Sequence, residues 1–222
     1  MKRAKCPACE RPEKVCLCPW LEKVDNKFPI IVLRHKSEAG HALNTVNILK
    51  KSLENITVYD GETFSPEIIP KKSFLIYPGE DSQSFKESPL DQKSTLVLLD
   101  GSWKKTRKII YLNPWLEELP KVSLPFQSSR YFLRKQREDG FSTLEAAHSA
   151  LSYLEPKNNF EPLLNCLDKM MELQSKFIGA EKMSEHFGER MTKISSDKND
   201  SKVEFLSDRS NPDGKTQHPK TQ

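Results

Sequence analysis

Thr95-Leu-Val-Leu-Leu-Asp-Gly-Ser-Trp103 is an apolar run that ends abruptly in polar and aromatic residues. The first five residues have the length and composition of a strand that is buried on both faces, as in a parallel sheet. In an open parallel sheet, ligands bind beyond the carboxyl ends of the strands. Residues 100–103 therefore lie where a ligand site is expected.

Strands and helices alternate on either side of this segment. Apolar runs predict further strands at 28–33, 56–59, 73–77 and 121–124. Apolar residues at helical spacing predict helices over 39–53, 102–111, 144–154 and 160–178. Ser37 is a candidate cap for the first helix, and Ser142-Thr-Leu-Glu145 has the spacing of a capping box before the third. The alternation predicts an α/β fold with a mostly parallel sheet and flanking helices.

Composition limits the class of protein. The chain has 222 residues, of which 36% are hydrophobic, and this suffices for one α/β domain with small additions. The formal net charge of +4 is too small to indicate nucleic-acid binding by itself. No apolar run approaches the roughly 20 residues of a membrane span, and no signal-peptide core follows the basic N-terminus. We therefore expect a soluble, cytoplasmic protein without a membrane partner, and nothing indicates an obligate protein partner.

Four cysteines, Cys6, Cys9, Cys16 and Cys18, form a CxxC and a CxC pair near the N-terminus. Two such pairs supply the four thiolates that structural zinc prefers, and a closed tetrahedral site leaves no position for substrate. The alternative is a redox pair or disulfides, which a reducing compartment disfavours. The fifth cysteine, Cys166, lies on the apolar face of the last predicted helix, and we expect it to be a packing residue.

These patterns divide the chain into three parts. We expect a zinc knuckle at residues 1–24 and the α/β domain at 25–180. Residues 181–222 are rich in Ser, Asp, Lys, Asn and Pro, and this composition predicts a largely disordered tail.

Two predicted strands end in loops that suit ligand binding. One is Tyr77-Pro78-Gly79 and the other is Asp100-Gly101-Ser102-Trp103. Each glycine allows a ligand to approach the backbone closely, and an acid, a hydroxyl and an indole suit recognition of a flat base. The alternative is ordinary turn usage, because Asp-Gly is common in turns and a tryptophan can cap a core.

Positive charge follows the second of these loops. Basic residues lie at 104, 105, 107 and 108 on the predicted helix, and others flank the rings of Tyr131 and Phe132. Basic residues interleaved with aromatic rings suit contacts with phosphates and stacking on bases. The alternative is a solvated helix face, which fits the lysines better than the half-apolar segment 130–134.

In their order along the chain, these motifs resemble those of the DTW-domain family, the tRNA-uridine aminocarboxypropyltransferases. The matching pieces are Cys6, Cys9, Cys16 and Cys18 with Arg11-Pro12; Arg34-His35-Lys36-Ser37-Glu38 and Leu43-Asn44-Thr45; Tyr77-Pro78-Gly79; Asp100-Gly101-Ser102-Trp103 with Arg107-Lys108; Ser129-Arg130-Tyr131 with Leu133-Arg134; and Ser142-Thr143-Leu144-Glu145-Ala146. The resemblance covers about residues 4–180. Ser102 replaces the usual threonine of the signature but keeps a hydroxyl, and Lys36 stands where many members have proline.

The resemblance implies a fold and an activity. The fold is similar to that of SPOUT-type proteins, which bind S-adenosylmethionine at a C-terminal knot. The implied reaction moves the 3-amino-3-carboxypropyl group of S-adenosylmethionine onto N3 of a tRNA uridine and releases methylthioadenosine. Asp100 is then the candidate base, Trp103 stacks on the uracil or the adenine, and Ser102 orients a substrate.

The resemblance also implies binding roles. Tyr77, Pro78, Gly79, Gly101 and Leu124 would hold the donor, and Arg130 or Arg34 its carboxylate. Lys104, Arg107, Lys108, Tyr131 and Arg134 would contact tRNA. We expect His35 to bond a backbone group rather than to act as an acid or base. A SPOUT-type RNA methyltransferase and a non-catalytic zinc-knuckle RNA-binding protein are the alternative functions.

Overall fold

One parallel sheet forms the centre of the protein. The computed structural model describes residues 4–41, 43–125, 129–131 and 141–176. The strands are β1 (Ile30–His35), β2 (Ile56–Gly61), β3 (Ser73–Ile76), β4 (Gln83–Ser84), β5 (Thr95–Asp100) and β6 (Lys121–Ser123). Their order is β2-β1-β5-β3-β6-β4, and every neighbouring pair is parallel. The predicted α/β fold with a mostly parallel sheet is confirmed.

Four α-helices flank the sheet in the part of the chain that the structure describes. They are α1 (Val46–Ser52), α2 (Trp103–Leu112), α3 (Thr143–Leu154) and α4 (Glu161–Ser175). Short 3-10 helices lie at 13–15, 18–20, 36–38, 66–68 and 114–116. Strand β4 was not predicted, because its two residues form no apolar run.

Both faces of the sheet are covered, and this explains the continuous apolar strands. In β1, Ile30 and Val32 point into a core shared with α1, α3 and α4, whereas Ile31 and Leu33 point into a second core with α2. Side chains alternate between faces along a strand, so every residue of a doubly covered strand is buried. All six residues of β1 are buried.

The first predicted helix was too long and its cap was wrong. Helix α1 begins at Val46 rather than near Ala39. The Asn44 side-chain oxygen accepts a hydrogen bond from the Val46 N–H at 3.1 Å, and such local side-chain bonds compete with helix formation upstream. Ser37 lies in the 3-10 helix at 36–38, and Thr45 is the N-cap residue of α1.

The capping box of α3 is confirmed and has a second role. Ser142 and Glu145 make the two reciprocal bonds that satisfy the helix N-terminus. The Glu145 carboxylate also accepts hydrogen bonds from the Ser129 hydroxyl and from the backbone N–H groups of Arg130 and Tyr131. Two motifs that are 13 residues apart in sequence therefore form one structural unit.

The connections after β1 and β5 run in opposite directions. The chain leaves β1 through α1 to β2 on one side, and it leaves β5 through α2 towards β6 on the other. Because β1 and β5 are neighbours, the point where the strand order reverses lies between their carboxyl ends. This is the place where open parallel sheets bind ligands.

The cysteine-bearing segment is packed onto this domain. Its 3-10 helices contact α4, and Leu17 belongs to the core that α1, α3 and α4 share. The predicted boundary at residue 24 stays a prediction, and the tail at 181–222 lies outside the described residues. The predicted C-terminal knot also stays a prediction, because residues 126–128 and 132–140 are outside the described ranges. Among the helices described, none has the length and apolarity needed to cross a membrane.

Candidate active site

A cavity of about 230 Å³ opens at the carboxyl ends of β3 and β5. Its wall is mostly apolar and contains three aromatic residues, which is typical of a small-molecule pocket. The lining residues are Ile76, Tyr77, Pro78, Leu98, Leu99, Gly101, Trp103, Thr106, Leu124, Phe141, Thr143 and Ala146. The cavity combines the ends of three strands with the N-terminal turns of α2 and α3.

Trp103 and Tyr77 form an aromatic corner of this cavity. Their ring centroids are 5.8 Å apart and their planes meet at 65°, an edge-to-face arrangement. Gly101 lies between them and the sheet, where a Cβ atom would come within 2.9 Å of Lys105 Cβ. Glycine is therefore needed here for α2 to start so close to the end of β5.

Asp100 lies beneath the cavity and is 5% exposed. Its Oδ1 accepts a hydrogen bond from the Thr143 hydroxyl at 2.5 Å, and its Oδ2 accepts one from the Asn44 amide at 2.6 Å. Burial raises the pKa of Asp100 above the usual aspartate value, although both hydrogen bonds oppose the shift. A carboxylate with a raised pKa is better suited to accept a proton at neutral pH.

Arg34 is the buried centre of the network that supports Asp100. Its Nε and Nη2 donate to the two carboxylate oxygens of Asp60 at 2.5 and 3.0 Å. Its Nη1 donates to Asn44 at 3.2 Å and to Asn47 at 2.8 Å. The amide of Asn44 is thereby fixed, because its oxygen faces a donor and its nitrogen faces Asp100. We define the buried network as the buried residues Arg34, Asn44 and Asp100 together with their partners, which are the partly buried Asn47 and Thr143 and the 43% exposed Asp60.

A second polar cluster lies at the same edge but nearer the surface. The Glu62 carboxylate is 3.0 Å from His35 Nε2, 3.5 Å from Lys36 Nζ and 2.7 Å from Lys108 Nζ. The hydrogen bond from Lys108 is the main cause that lowers the pKa of Glu62. These four residues are the Glu62 cluster. The other ring nitrogen of His35 accepts from the Ser37 N–H at 3.3 Å, so the predicted backbone bond of His35 is confirmed.

The structure brings together most of the predicted donor-binding residues. Four of them line the cavity, namely Tyr77, Pro78, Gly101 and Leu124, and so does Trp103, which was predicted to stack on a base. Gly79 and Ser102 are adjacent in sequence to lining residues but are not in the wall themselves. Arg130 is also absent from the wall, and its guanidinium is 3.8 Å from Asp168 of α4. Asp100 is not in the wall itself, but it accepts a hydrogen bond from Thr143, which is.

The predicted RNA-binding residues divide into two groups. Lys104, Arg107 and Lys108 are exposed on α2. Tyr131 is 3% exposed, and its hydroxyl donates to the Leu43 carbonyl at 2.8 Å. Its ring belongs to the core rather than to an accessible surface, which is the opposite of what base contact requires. Arg134 lies outside the described residues.

Sequence reasoning did not assign Thr143, Thr106 or Phe141 to the site. Thr143 was read only as part of a capping box, although the first residue of a capped helix often faces the strand end that the helix approaches. Phe141 precedes the capping box and carries no motif signal. For Asn44 the sequence left two roles open, stabilisation of the helix or contact with the site. The structure shows both, because its side chain bonds the Val46 N–H of α1 and the Asp100 carboxylate.

The four N-terminal cysteines form a cluster that could hold a metal ion. Their sulfur atoms all lie within 4.8 Å of one another. Cys6 to Cys18 and Cys9 to Cys16 are each 3.6 Å apart. A tetrahedron with Zn–S bonds of about 2.3 Å has edges of about 3.8 Å, so the sulfur positions fit a tetrathiolate site.

Two buried residues lie below this cluster. The Arg11 side chain is 7% exposed and its Nε donates to the Val15 carbonyl at 3.0 Å. Its guanidinium is close enough to Cys9 and Cys166 for their charges to influence its pKa, which burial lowers. Cys166 is fully buried, and burial raises the pKa of its thiol to about 11. This thiol is a poor nucleophile, which supports the packing role predicted for it.

Comparison with known proteins agrees with the motifs. The DTW domain matches residues 3–175. A tRNA-uridine aminocarboxypropyltransferase 2 from Macaca fascicularis is 34% identical over 192 residues, which cover 78% of this chain and 64% of the relative. The Drosophila melanogaster protein of the same name is 34% identical over 176 residues, covering 70% of this chain and 68% of the relative.

The match to a more distant relative covers a larger share of that relative's length. The Arabidopsis thaliana tRNA-uridine aminocarboxypropyltransferase A is 25% identical over 219 residues, covering 80% of this chain and 83% of the relative. The chain spans less than two thirds of the length of the macaque relative. No solved structure matches it significantly. The family profile covers more than half of the chain, so this protein belongs to the DTW-domain family.

Proposed function

We propose that this protein transfers the 3-amino-3-carboxypropyl group of S-adenosylmethionine to N3 of a uridine in tRNA and releases methylthioadenosine. The observation that carries the proposal is the Asp100 carboxylate, buried beneath an aromatic-cornered cavity and hydrogen-bonded to Thr143 in its wall. The names of the relatives describe the transfer of an aminocarboxypropyl group to a tRNA uridine, which supports this part of the proposal.

The cavity suits the donor. Its apolar wall and aromatic corner match the flat, weakly polar adenine ring, and the strand ends around it match the usual place of ligands in parallel sheets. Tyr77, Pro78, Gly101 and Leu124 would surround the adenosine, while Trp103 stacks on adenine or uracil.

Asp100 is proposed to take the N3 proton through Thr143. The Thr143 hydroxyl already donates to Asp100 Oδ1, so its lone pairs remain available to accept N3–H. As N3 forms its bond to Cγ of the donor, its proton moves to Thr143 Oγ1, and the threonine proton moves to Asp100. The Cγ–S bond electrons stay on sulfur, giving neutral methylthioadenosine.

Which carbon beside the sulfonium reacts depends on orientation, because Cγ rather than the methyl group must lie in line with N3. The guanidinium of Arg34 is committed to Asp60, Asn44 and Asn47, so it has little capacity to bind the donor carboxylate. We therefore propose Arg130, which is partly exposed and, among the described residues, forms an ion pair only with Asp168, at 3.8 Å.

A substitution at Thr143 tests the proton path. Thr143→Val keeps the shape but removes the hydroxyl, and we expect kcat to fall by about 10²-fold or more. Thr143→Ser keeps the hydroxyl and should retain most activity. Equal activities of the Val and Ser variants would rule out the path through Thr143.

The cysteine cluster is proposed to bind one structural zinc ion, held by Cys6, Cys9, Cys16 and Cys18. With four protein ligands the site is closed, and its contribution is to folding rather than to the reaction. We expect one zinc per chain by elemental analysis and its loss in Cys6→Ser, with a lower melting temperature. Full retention of zinc and of the melting temperature in that variant would contradict the proposal.

Labelled donor separates this reaction from its alternatives. Purified protein is incubated with unmodified tRNA and S-adenosylmethionine labelled on the carboxyl carbon or on the methyl group. Carboxyl label in the RNA without methyl label is the expected result. Methyl label alone would indicate a methyltransferase, whereas no label from either donor, with tRNA still bound, would favour a non-catalytic RNA-binding protein.

A further inference from the structure

One exposed face of α2 combines positive charge with an aromatic ring. Lys104, Arg107, Lys108 and Tyr111 are spaced by three or four residues, so their side chains lie on the same side of the helix. All four are exposed, and Tyr111 is 82% exposed. Thr106 and Ile109 are buried on the opposite side. We call Lys104, Arg107, Lys108 and Tyr111 the α2 face.

The α2 face has more positive than negative charge. It contains three cations and no acid. Within the described residues, Lys104 and Arg107 have no ion-pair partner, while Lys108 shares Glu62 with His35 and Lys36. The Glu62 carboxylate offsets part of the charge of Lys108, so the α2 face draws its excess positive charge mainly from Lys104 and Arg107. Such a surface is complementary to a polyanion.

The position of the α2 face connects it to the cavity. Trp103 is the first residue of α2 and lines the cavity, whereas Tyr111 is eight residues further along the same helix. At 1.5 Å per residue the two are separated by about 12 Å along the helix axis. A strand that follows α2 would thus have one nucleotide at the cavity and another a few positions away at Tyr111.

We propose that the α2 face binds a single-stranded segment of tRNA next to the target uridine, with Tyr111 stacking on a base and Lys104 and Arg107 contacting phosphates. An exposed ring beside unpaired cations is the combination that binds single strands, because every base offers a π-face and every phosphate a charge. Tyr131, the ring that the sequence favoured for this role, is buried. The proposal rests on the proposed tRNA-modifying function.

The test measures binding of the full chain to an unmodified tRNA transcript between 50 and 200 mM salt, without donor. We expect Tyr111→Ala to weaken binding on the order of tenfold, and Tyr111→Phe to bind like the wild type, because the ring supplies the stacking. The double variant Lys104→Ala/Arg107→Ala should lower the slope of log Kd against log salt by about 1–2.

A matched control removes two exposed lysines from the other side of the sheet. Lys50 and Lys51 lie on α1, and Lys50→Ala/Lys51→Ala should leave affinity and salt slope unchanged. Equal losses in both double variants, or unchanged binding of Tyr111→Ala, would overturn the proposal. Wild-type protein that binds tRNA through the α2 face but transfers no label would contradict the proposed function alone.

Discussion

Arg34 and His35 are neighbours in β1, yet their side chains enter two very different polar clusters. Arg34 points to the side of α1 and α3 and forms the centre of the buried network. His35 points to the side of α2 and joins the Glu62 cluster near the surface. Successive residues of a strand face opposite sides of the sheet, so one position in sequence separates the two environments.

The two clusters differ in how far solvent reaches their side chains. In the buried network, Asp100 and Asn44 have no water to replace a lost partner, so each missing bond has a large energetic cost. In the Glu62 cluster, the Lys36 and Lys108 side chains are 68% and 50% exposed, and water and salt weaken each ion pair. Polar groups at similar distances therefore have different roles in the two clusters. In the buried network they hold the structure together and position Asp100, whereas in the Glu62 cluster they supply surface charge that water and salt can screen.

The largest effect is expected at Asp100. We expect Asp100→Asn to lower kcat by about 10³-fold, because the group that accepts the proton is lost. Since the pKa of Asp100 is raised, wild-type activity should decline on acidification at a pH above the ordinary aspartate pKa of about 3.9, tenfold per unit. A pH–rate profile of both proteins measures this, and the acid limb should be missing in the variant.

Glu62→Gln is the matched control for Asp100→Asn, because it changes a carboxylate at the same edge of the sheet. It should keep the acid limb of the pH–rate profile. If Asp100→Asn retained that limb instead, another residue would be the proton acceptor.

Removal of Arg34 should most affect stability. Arg34→Ala leaves Asp60, Asn44 and Asn47 without their shared donor, and we expect the free energy of unfolding to fall by about 3 kcal/mol. Urea denaturation monitored by tryptophan fluorescence measures the change. Arg34→Lys keeps the charge but not the planar fork, so it should recover only part of the loss.

The exposed control for Arg34→Ala is Lys36→Ala, whose side chain is 68% exposed. We expect no measurable change in its unfolding free energy. Equal losses of unfolding free energy in the two variants would mean that the difference in burial does not decide how much each cluster contributes to stability.

An intermediate effect on stability is expected at Gly101, which lies between the two clusters. In Gly101→Ala the added Cβ would approach Lys105 Cβ to 2.9 Å and His35 Cβ to 3.6 Å. Because α2 must shift, we expect a loss of about 1–2 kcal/mol and weaker binding of S-adenosylmethionine by calorimetry. Gly40→Ala is the comparison variant, since nothing lies within 4 Å of its added Cβ. If Gly101→Ala changed neither stability nor binding, the turn between β5 and α2 would be shown to tolerate a displacement of α2.

The smallest effect on stability is expected at Glu62. Glu62→Gln removes one partly buried acid whose two lysine partners are well solvated, and the melting temperature should change by less than about 2 °C. Because Lys36 and Lys108 then lose their competing carboxylate, tRNA binding should tighten slightly and depend more steeply on salt. Filter binding at several salt concentrations checks this. A large drop in melting temperature would place Glu62 with the buried network instead.

The strands were predictable because burial on both faces requires unbroken apolar runs, as in Thr95–Asp100. The start of α1 was not, because the Asn44 side chain has bonds both to its own helix and to Asp100, 56 residues away. The two-residue strand β4 carries no apolar pattern at all. The part of the site that lies in loops could be predicted, because Tyr77, Gly101 and Trp103 come directly after the ends of predicted strands.

The amino-acid sequence alone was enough to predict the parallel sheet, the carboxyl edge where the cavity opens, the cysteine cluster and the family, because each depends on local pattern or spacing. Only the tertiary structure decided which polar side chains meet: that Thr143 reaches Asp100, that Arg34 is fully engaged, and that Tyr131 is buried while Tyr111 is exposed. Those outcomes depend on helix packing and solvent access, which join residues from distant parts of the chain and leave no signal in the spacing of any one segment.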